Sequence, residues 1–302
     1  MRAARVRAAH TRTFLVLAVL VGAAGCTAPR DALPRPEAVP ACTPVAATLL
    51  APLPHPDVRA LALDARGVVY VAAPDRVFAA LPGDSLRRFS GTLGLALQNV
   101  RALDASQPLR LVVADESGQI VTLGRDGVVV GTLRRVQPAA APGAALDRPE
   151  TALAPIGVRA LPDGRLVIVD ARLGRLLLVD EAGRERAAAS GESDAGRAGL
   201  RAPRALDRTS DRLWVLDDDR LRAFDLLGAA VSDATVAAGA LGLAVLDDAP
   251  AVVHRWGVAA SGGVRLCAPA PLRAVAAGGD ALVWLTDAGL YASRLPAPEA
   301  AR

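Results

Sequence analysis

Gly157-Val158-Arg159-Ala160-Leu161-Pro162-Asp163-Gly164-Arg165-Leu166-Val167-Ile168-Val169-Asp170, followed by Arg175-Leu176-Leu177-Leu178-Val179-Asp180-Glu181-Ala182-Gly183, is three apolar runs separated by turns. Each run is too short for a stable helix and is rich in Val, Leu and Ile, which suit a pleated surface. Asp163-Gly164 closes the first pair of runs, because glycine reaches positive φ without steric cost and aspartate tolerates turns. The unit therefore reads strand, Asp-Gly turn, strand, Asp-containing turn, strand, Gly turn.

The opening strand recurs as Val58-Arg59-Ala60-Leu61, Val100-Arg101-Ala102-Leu103, Pro203-Arg204-Ala205-Leu206, Leu241-Gly242-Leu243-Ala244 and Leu272-Arg273-Ala274-Val275. Aligning the second strands on a terminal Asp (Asp115, Asp170, Asp217, Asp287) brings Val112, Val167, Trp214 and Trp284 into one column, with Tyr70 in the first unit. Alternate strand residues face opposite ways, so a bulky column implies packing of one unit's sheet on the next. Short-strand repeats of about 40–45 residues are the signature of a β-propeller, here an all-β fold of five or six blades, with six favoured. The fifth unit, residues 241–270, is short for four strands of ordinary length. The run Val45–Leu50 has no blade of its own, and the last unit is one strand short at the C-terminus. An N-terminal strand closing the last blade would meet both shortages and leave no open ring edge. Cys42 and Cys267 lie near the two ends of this domain and either pair in an oxidising compartment or remain two thiols; a bond would staple the closing strand to the neighbouring blade.

Outward from the repeats, residues 26–41 are rich in Pro and Ala, with Pro29, Pro34, Pro36 and Pro40, and read as an extended tether. Residues 1–25 run from arginines through an apolar stretch, Phe14 to Ala24, to small residues before Cys26. At about eleven residues that stretch is well short of the roughly 20 that span a bilayer, so it fits an export signal. Ala23-Ala24-Gly25-Cys26 resembles the bacterial lipobox, although Ala23 stands where Leu is common. The resemblance implies lipidation of Cys26 and cleavage before it; ordinary signal cleavage or a retained segment is the alternative. Thr27 after the cysteine, rather than Asp, favours the outer membrane under the sorting rule of Gram-negative bacteria. The reading is a signal peptide over 1–25, a tether over 26–41 and a propeller over 42–302. It places the protein in the cell envelope, on the periplasmic face or the cell surface.

The chain carries +4 with pI near 9.6, yet residues 1–25 hold four arginines and no acid. Without them, basic and acidic groups are equal at 31 each. Lysine is absent and Arg is spread evenly, so the sequence shows no stripe for a phosphate backbone, and nucleic acid is not an expected partner.

The Gly157–Gly183 unit, with Pro155 before it and Arg175 after the Val-Asp strand end, resembles an NHL repeat of six-bladed propellers; the segment from Ala202-Pro203 to Asp225 is a looser match. The likeness implies a fold more than an activity. Hydrolases and lyases on related propellers place metal-binding acids, Asn or His around the central channel. Here Asp217-Asp218-Asp219, Asp247-Asp248 and His254, in Val252-Val253-His254-Arg255-Trp256, are the weak candidates, with calcium the metal such acids would take. The competing reading makes the Asp residues turn formers and His254 structural, with no cofactor. His55 sits in a Pro-His-Pro connector, and no Gly-x-Ser-x-Gly elbow or Cys-x-x-Cys pair occurs. Two segments exceed what a blade needs, 134–155 and 187–203. Arg134, Arg135, Glu192, Asp194 and Arg197 on them are the candidate contact residues. The expectation is a membrane-tethered, non-catalytic interaction or scaffold module with an envelope protein partner. A metal-dependent hydrolase or lyase and a small-ligand sensor are the alternatives.

Overall fold

Each Val- and Leu-rich run forms one strand of a small antiparallel sheet, and six such sheets make up the ring. The structure is a computed structural model and describes residues 42–81, 83–89, 92–124, 126–137, 151–189, 199–260 and 265–295; the signal, the tether, Cys26, Glu192, Asp194 and Arg197 lie outside them. Pro40–Arg302 forms one compact unit. The innermost strands of blades 1 to 6 are Ala60–Leu63, Val100–Asp104, Pro155–Ala160, Pro203–Arg208, Ala240–Leu246 and Leu272–Gly278. They pack on one another in a closed circuit, and three further strands extend each sheet outward, with a fifth strand added at the outer edge of blade 5. The protein is a six-bladed β-propeller.

The last blade is completed from the N-terminus, where Ala47–Ala51 pairs antiparallel with Leu290–Arg294. Just before it, Thr43–Pro44 runs parallel to Arg265–Cys267 of blade 5, and Cys42 is disulfide-bonded to Cys267 with a Cα separation of 5.2 Å. The fifth unit holds four strands despite its length, because its outer two are only 4 and 3 residues long.

Six apolar clusters fill the six seams between neighbouring blades. The bulky column drives this packing: Tyr70 faces blade 2, Val112 faces blade 3, Val167 faces blade 4 and Trp214 faces blade 5. In blade 6 the column residue is Val283, which packs on blade 1, while Trp284 lies on the opposite face against blade 5. The alignment on Asp287 is therefore one residue out. Leu272 pairs with Thr286, as Val100 pairs with Asp115, and a one-residue slip moves a side chain to the other face.

A second shift concerns blade 3. In blades 2 and 4 to 6 the second residue of the inner strand is bulged, and these residues are Arg101, Arg204, Leu241 and Arg273. The corresponding bulge in blade 3 holds Ile156, three residues before Arg159. Arg159 thus aligns with Asp104 and Asp207, not with the arginines of the other units. Gly157 follows the bulge because a Cβ there would stand 2.6 Å from the Leu206 Cβ, inside any tolerable contact.

Candidate interaction face

Strand register divides the connections between two faces. Inner strands begin where second strands end, as Val100 opposite Asp115 and Pro155 opposite Asp170 show. The segments between blades and the turns joining second to third strands therefore share one face; the remaining turns share the other. Buried carboxylates build the first face. Asp170 accepts the Ala154 N–H at 2.8 Å and the Leu173 N–H at 2.8 Å. Asp115 accepts from Gln98 at 3.0 Å and from Ser117 and Gln119. Asp217 accepts from Arg201 and Ala202, both at 2.8 Å. Each clamps its own turn, the incoming inter-blade segment, or both. Thr286 does the turn part of this work in blade 6, accepting from Ala288 and Gly289 at 3.1 Å.

The bulged residues stand out at the rim of this face, with Arg59 just ahead of the blade 1 inner strand. Arg59, Arg101, Arg204 and Arg273 are exposed. Arg101 pairs with Glu116 at 2.7 Å, Arg204 with Asp218 at 3.2 Å and Arg273 with Asp287 at 2.7 Å. Hydrogen bonds from Asn99 and Arg101 hold the Glu116 carboxyl below its usual range, and Arg59 adds its charge to the same effect. Between these arginines the rim is apolar: Ile156 in blade 3, and in blade 5 Leu241, 43% exposed, with Trp256, 46% exposed, beneath Arg255.

Charge is divided unequally between the two faces. Among the described residues, the loop face carries Arg59, Arg101, Arg134, Arg135, Arg172, Arg201, Arg204, Arg255 and Arg273 against Asp57, Asp75, Glu116, Asp218, Asp219 and Asp287. The turns of the opposite face carry Arg66, Arg110, Arg165 and Arg184 against Asp64, Asp84, Asp126, Asp163, Asp180, Glu181, Asp211, Asp247, Asp248 and Asp280. Counted over these groups, the outer surface of the loop face is thus richer in arginine and the opposite turns richer in acid, while the buried Asp115, Asp170 and Asp217 add three carboxylates beneath the loop face.

Beside the axis, Arg159 joins Asp207 at 3.0 Å and Asp104 at 3.9 Å, linking the inner strands of blades 2, 3 and 4. Its guanidinium also donates to the Leu103 carbonyl at 3.2 Å, and Asp104 accepts the Ala160 N–H at 2.7 Å. Burial pushes the Arg159 pKa down, but Asp207 and Asp104 together outweigh it and raise it.

The candidate metal residues do not converge. Asp217 is committed to backbone N–H groups and to Arg222 at 3.3 Å. Asp218 turns outward to Arg204 in a left-handed conformation, φ 57°, and the Asp219 carbonyl accepts the Val236 N–H. His254 ends the second strand of blade 5 rather than lying on the inner strand, and burial, then the Arg265 charge, lower its pKa. Among the described residues, no three His, Cys, Asp or Glu side chains are placed to hold one metal ion. Asp247 and Asp248 form a turn on the opposite face, where Asp248 accepts from Ser210. The second long segment leaves and re-enters on the loop face; the first leaves beside Gln119 of that face, but its Gln137 bonds to Gly183 and Glu185 at the outer turn of blade 3, which belongs to the opposite set. Arg134 donates to the Gln119 side chain at 2.7 Å, and Arg135–Val136 pairs with Thr151–Ala152. The rim arginines, Leu241 and Trp256 were not singled out in the sequence; the recurring Arg of the Val-Arg-Ala-Leu units was the available signal.

By sequence, the chain matches no protein family and no curated protein. Among solved structures it is similar to virginiamycin B lyase from Staphylococcus aureus, with TM-score 0.58, 10% identity, and 83% of this chain and 99% of that one covered. The Pan2 WD40 domain of Neurospora crassa aligns with TM-score 0.52 and 12% identity over 83% of this chain and 96% of that one. BBS1N, in a complex with ARL6DN, aligns with TM-score 0.51 and 16% identity over 76% and 75%. At these identities the likeness defines the class of protein, a six-bladed propeller, and nothing narrower.

Proposed function

We propose that this chain is a lipid-anchored, extracytoplasmic propeller of the NHL type, held at the membrane through Cys26, whose loop face binds an envelope protein partner without catalysing a reaction. The observation that supports this reading best is the gathering of the exposed arginine rim, Leu241 and Trp256 on one face. Rigid scaffolds that present loops on one side suit recognition. The charged groups near the axis, Asp104, Arg159 and Asp207, are paired with one another, which suits a structural role better than proton transfer. One acyl chain binds membranes only marginally, so stable anchoring through Cys26 calls for more than one chain. The lyase among the structural neighbours keeps an enzymatic alternative in view, and among the described residues no three acids or histidines are placed to hold one metal ion for it.

The test is mass spectrometry of the protein extracted gently in detergent from its native membranes. A mature chain beginning at acylated Cys26, with an envelope protein in stoichiometric amount, is the expected result. An unmodified N-terminus would refute the anchor, and recovery of the propeller alone would refute the scaffold role.

A further inference from the structure

The loop face has a chemistry that narrows its partner. Four exposed arginines stand at equivalent positions around the mouth of the ring, on blades 1, 2, 4 and 6. Three already hold carboxylates, Glu116, Asp218 and Asp287, in pairs whose acids are more than half exposed, at 54%, 57% and 56%. Exposed pairs of this kind are weak and exchange readily, so carboxylates from outside can compete for the same guanidinium groups. Between the arginines of blades 4 and 6, blade 5 exposes Leu241 on its inner strand and Trp256 in the turn after its second strand, with Arg255 over the indole ring. Trp and Arg are the residues most enriched where binding energy concentrates, and a large aromatic needs burial to contribute it.

Resting on the interaction reading above, we propose that this rim docks an acidic protein segment: its Asp or Glu side chains engage Arg59, Arg101, Arg204 and Arg273, and an apolar side chain seats on Leu241 and Trp256. An anionic lipid surface fits less well. Each of three arginines stands beside its own acid, leaving a small net charge spread over a wide face, whereas a membrane draws on dense clusters of basic residues. A protein segment can instead match the rim position by position.

The experiment uses the full chain in its native membrane. A photo-crosslinking amino acid is placed at position 241, at position 201 where the long segment after blade 3 re-enters the loop face, and at position 248 on the opposite face as a control. Crosslinked peptides are identified by mass spectrometry, in wild type, in R101E/R204E/R273E and in the milder R101Q/R204Q/R273Q, with thermal melts confirming that the variants fold. The expected result is an adduct at 241 to an Asp- or Glu-rich protein segment, reduced about tenfold or more by charge reversal and restored when the partner's acids are reversed to Lys. An adduct to lipid, to a peptide without acids, or one indifferent to the reversal overturns the proposal. Protein adducts at 201 with none at 241 overturn the rim while leaving the interaction reading intact. No protein adduct at either position on this face removes both.

Discussion

Asp170 is fully buried and spends both carboxylate oxygens on backbone donors, one from its own turn and one from the incoming segment. Asp170→Ala strands two N–H groups, so we expect a loss of about 3 kcal/mol in urea unfolding, with Asp170→Asn losing less because one acceptor oxygen remains. Arg159 works in the opposite sense, since it neutralises two carboxylates that are themselves little exposed, at 4% and 17% of the side chain. Arg159→Leu should cost about 3–5 kcal/mol, and adding Asp207→Asn should recover part of it by removing one uncompensated charge. Acid acts on the turn carboxylates. Burial raises the Asp163 and Asp180 pKa values, but the Arg165 and Arg184 N–H groups and neighbouring guanidinium charges outweigh it and hold both below the usual 3.8. Folded-state values below the unfolded ones make a contribution that is full above about pH 4 and lost as pH falls through the folded values. Melting temperature should therefore drop below pH 4, and more gently in Asp180→Asn, which has no such proton to take up.

At the scale of the strand, the repeat was readable because each unit alternates short apolar runs with Asp and Gly turns, and because the unmatched run Val45–Leu50 answered the missing strand of the last blade. The register within units was less legible. Arg159 resembles the recurring arginine in its immediate neighbours, Val158 and Ala160, but the bulge at Ile156 displaces it by three positions, and a bulge leaves no reliable mark in composition. Trp284 was drawn into the wrong column because Asp287 imitates the strand-ending aspartates, while Thr286 holds their place in the register. The rim was illegible for a related reason: an exposed residue at a bulge is set apart by geometry, not by residue type. Two changes probe these elements. Gly157→Ala puts a methyl against Leu206 and should destabilise by about 1–3 kcal/mol in the same unfolding assay. Cys42→Ser/Cys267→Ser opens a link between residues 225 apart, and on the chain-entropy view should cost about 5 kcal/mol, read as a lower melting temperature that reducing agent no longer changes.

Taken whole, the ring exposes a rim of arginines on its loop face and more acids than arginines on the opposite turns, and is closed by a strand from the same end of the chain that carries Cys26. The proposed anchor at Cys26 would raise the local concentration of the loop face at the membrane, so that a modest interaction could be occupied in place. If charge pairs carry the interaction, association should weaken as ionic strength rises and the Debye length falls from about 10 Å at 0.1 M to about 3 Å at 1 M. The most direct measurement is the amount of envelope protein recovered per propeller from native membranes, compared between wild type and R101E/R204E/R273E by quantitative mass spectrometry. The account predicts one partner in near-stoichiometric amount with wild type and a loss of most of it with the variant, at equal propeller recovery. A wild-type propeller recovered alone, or a partner retained undiminished by the variant, would contradict it.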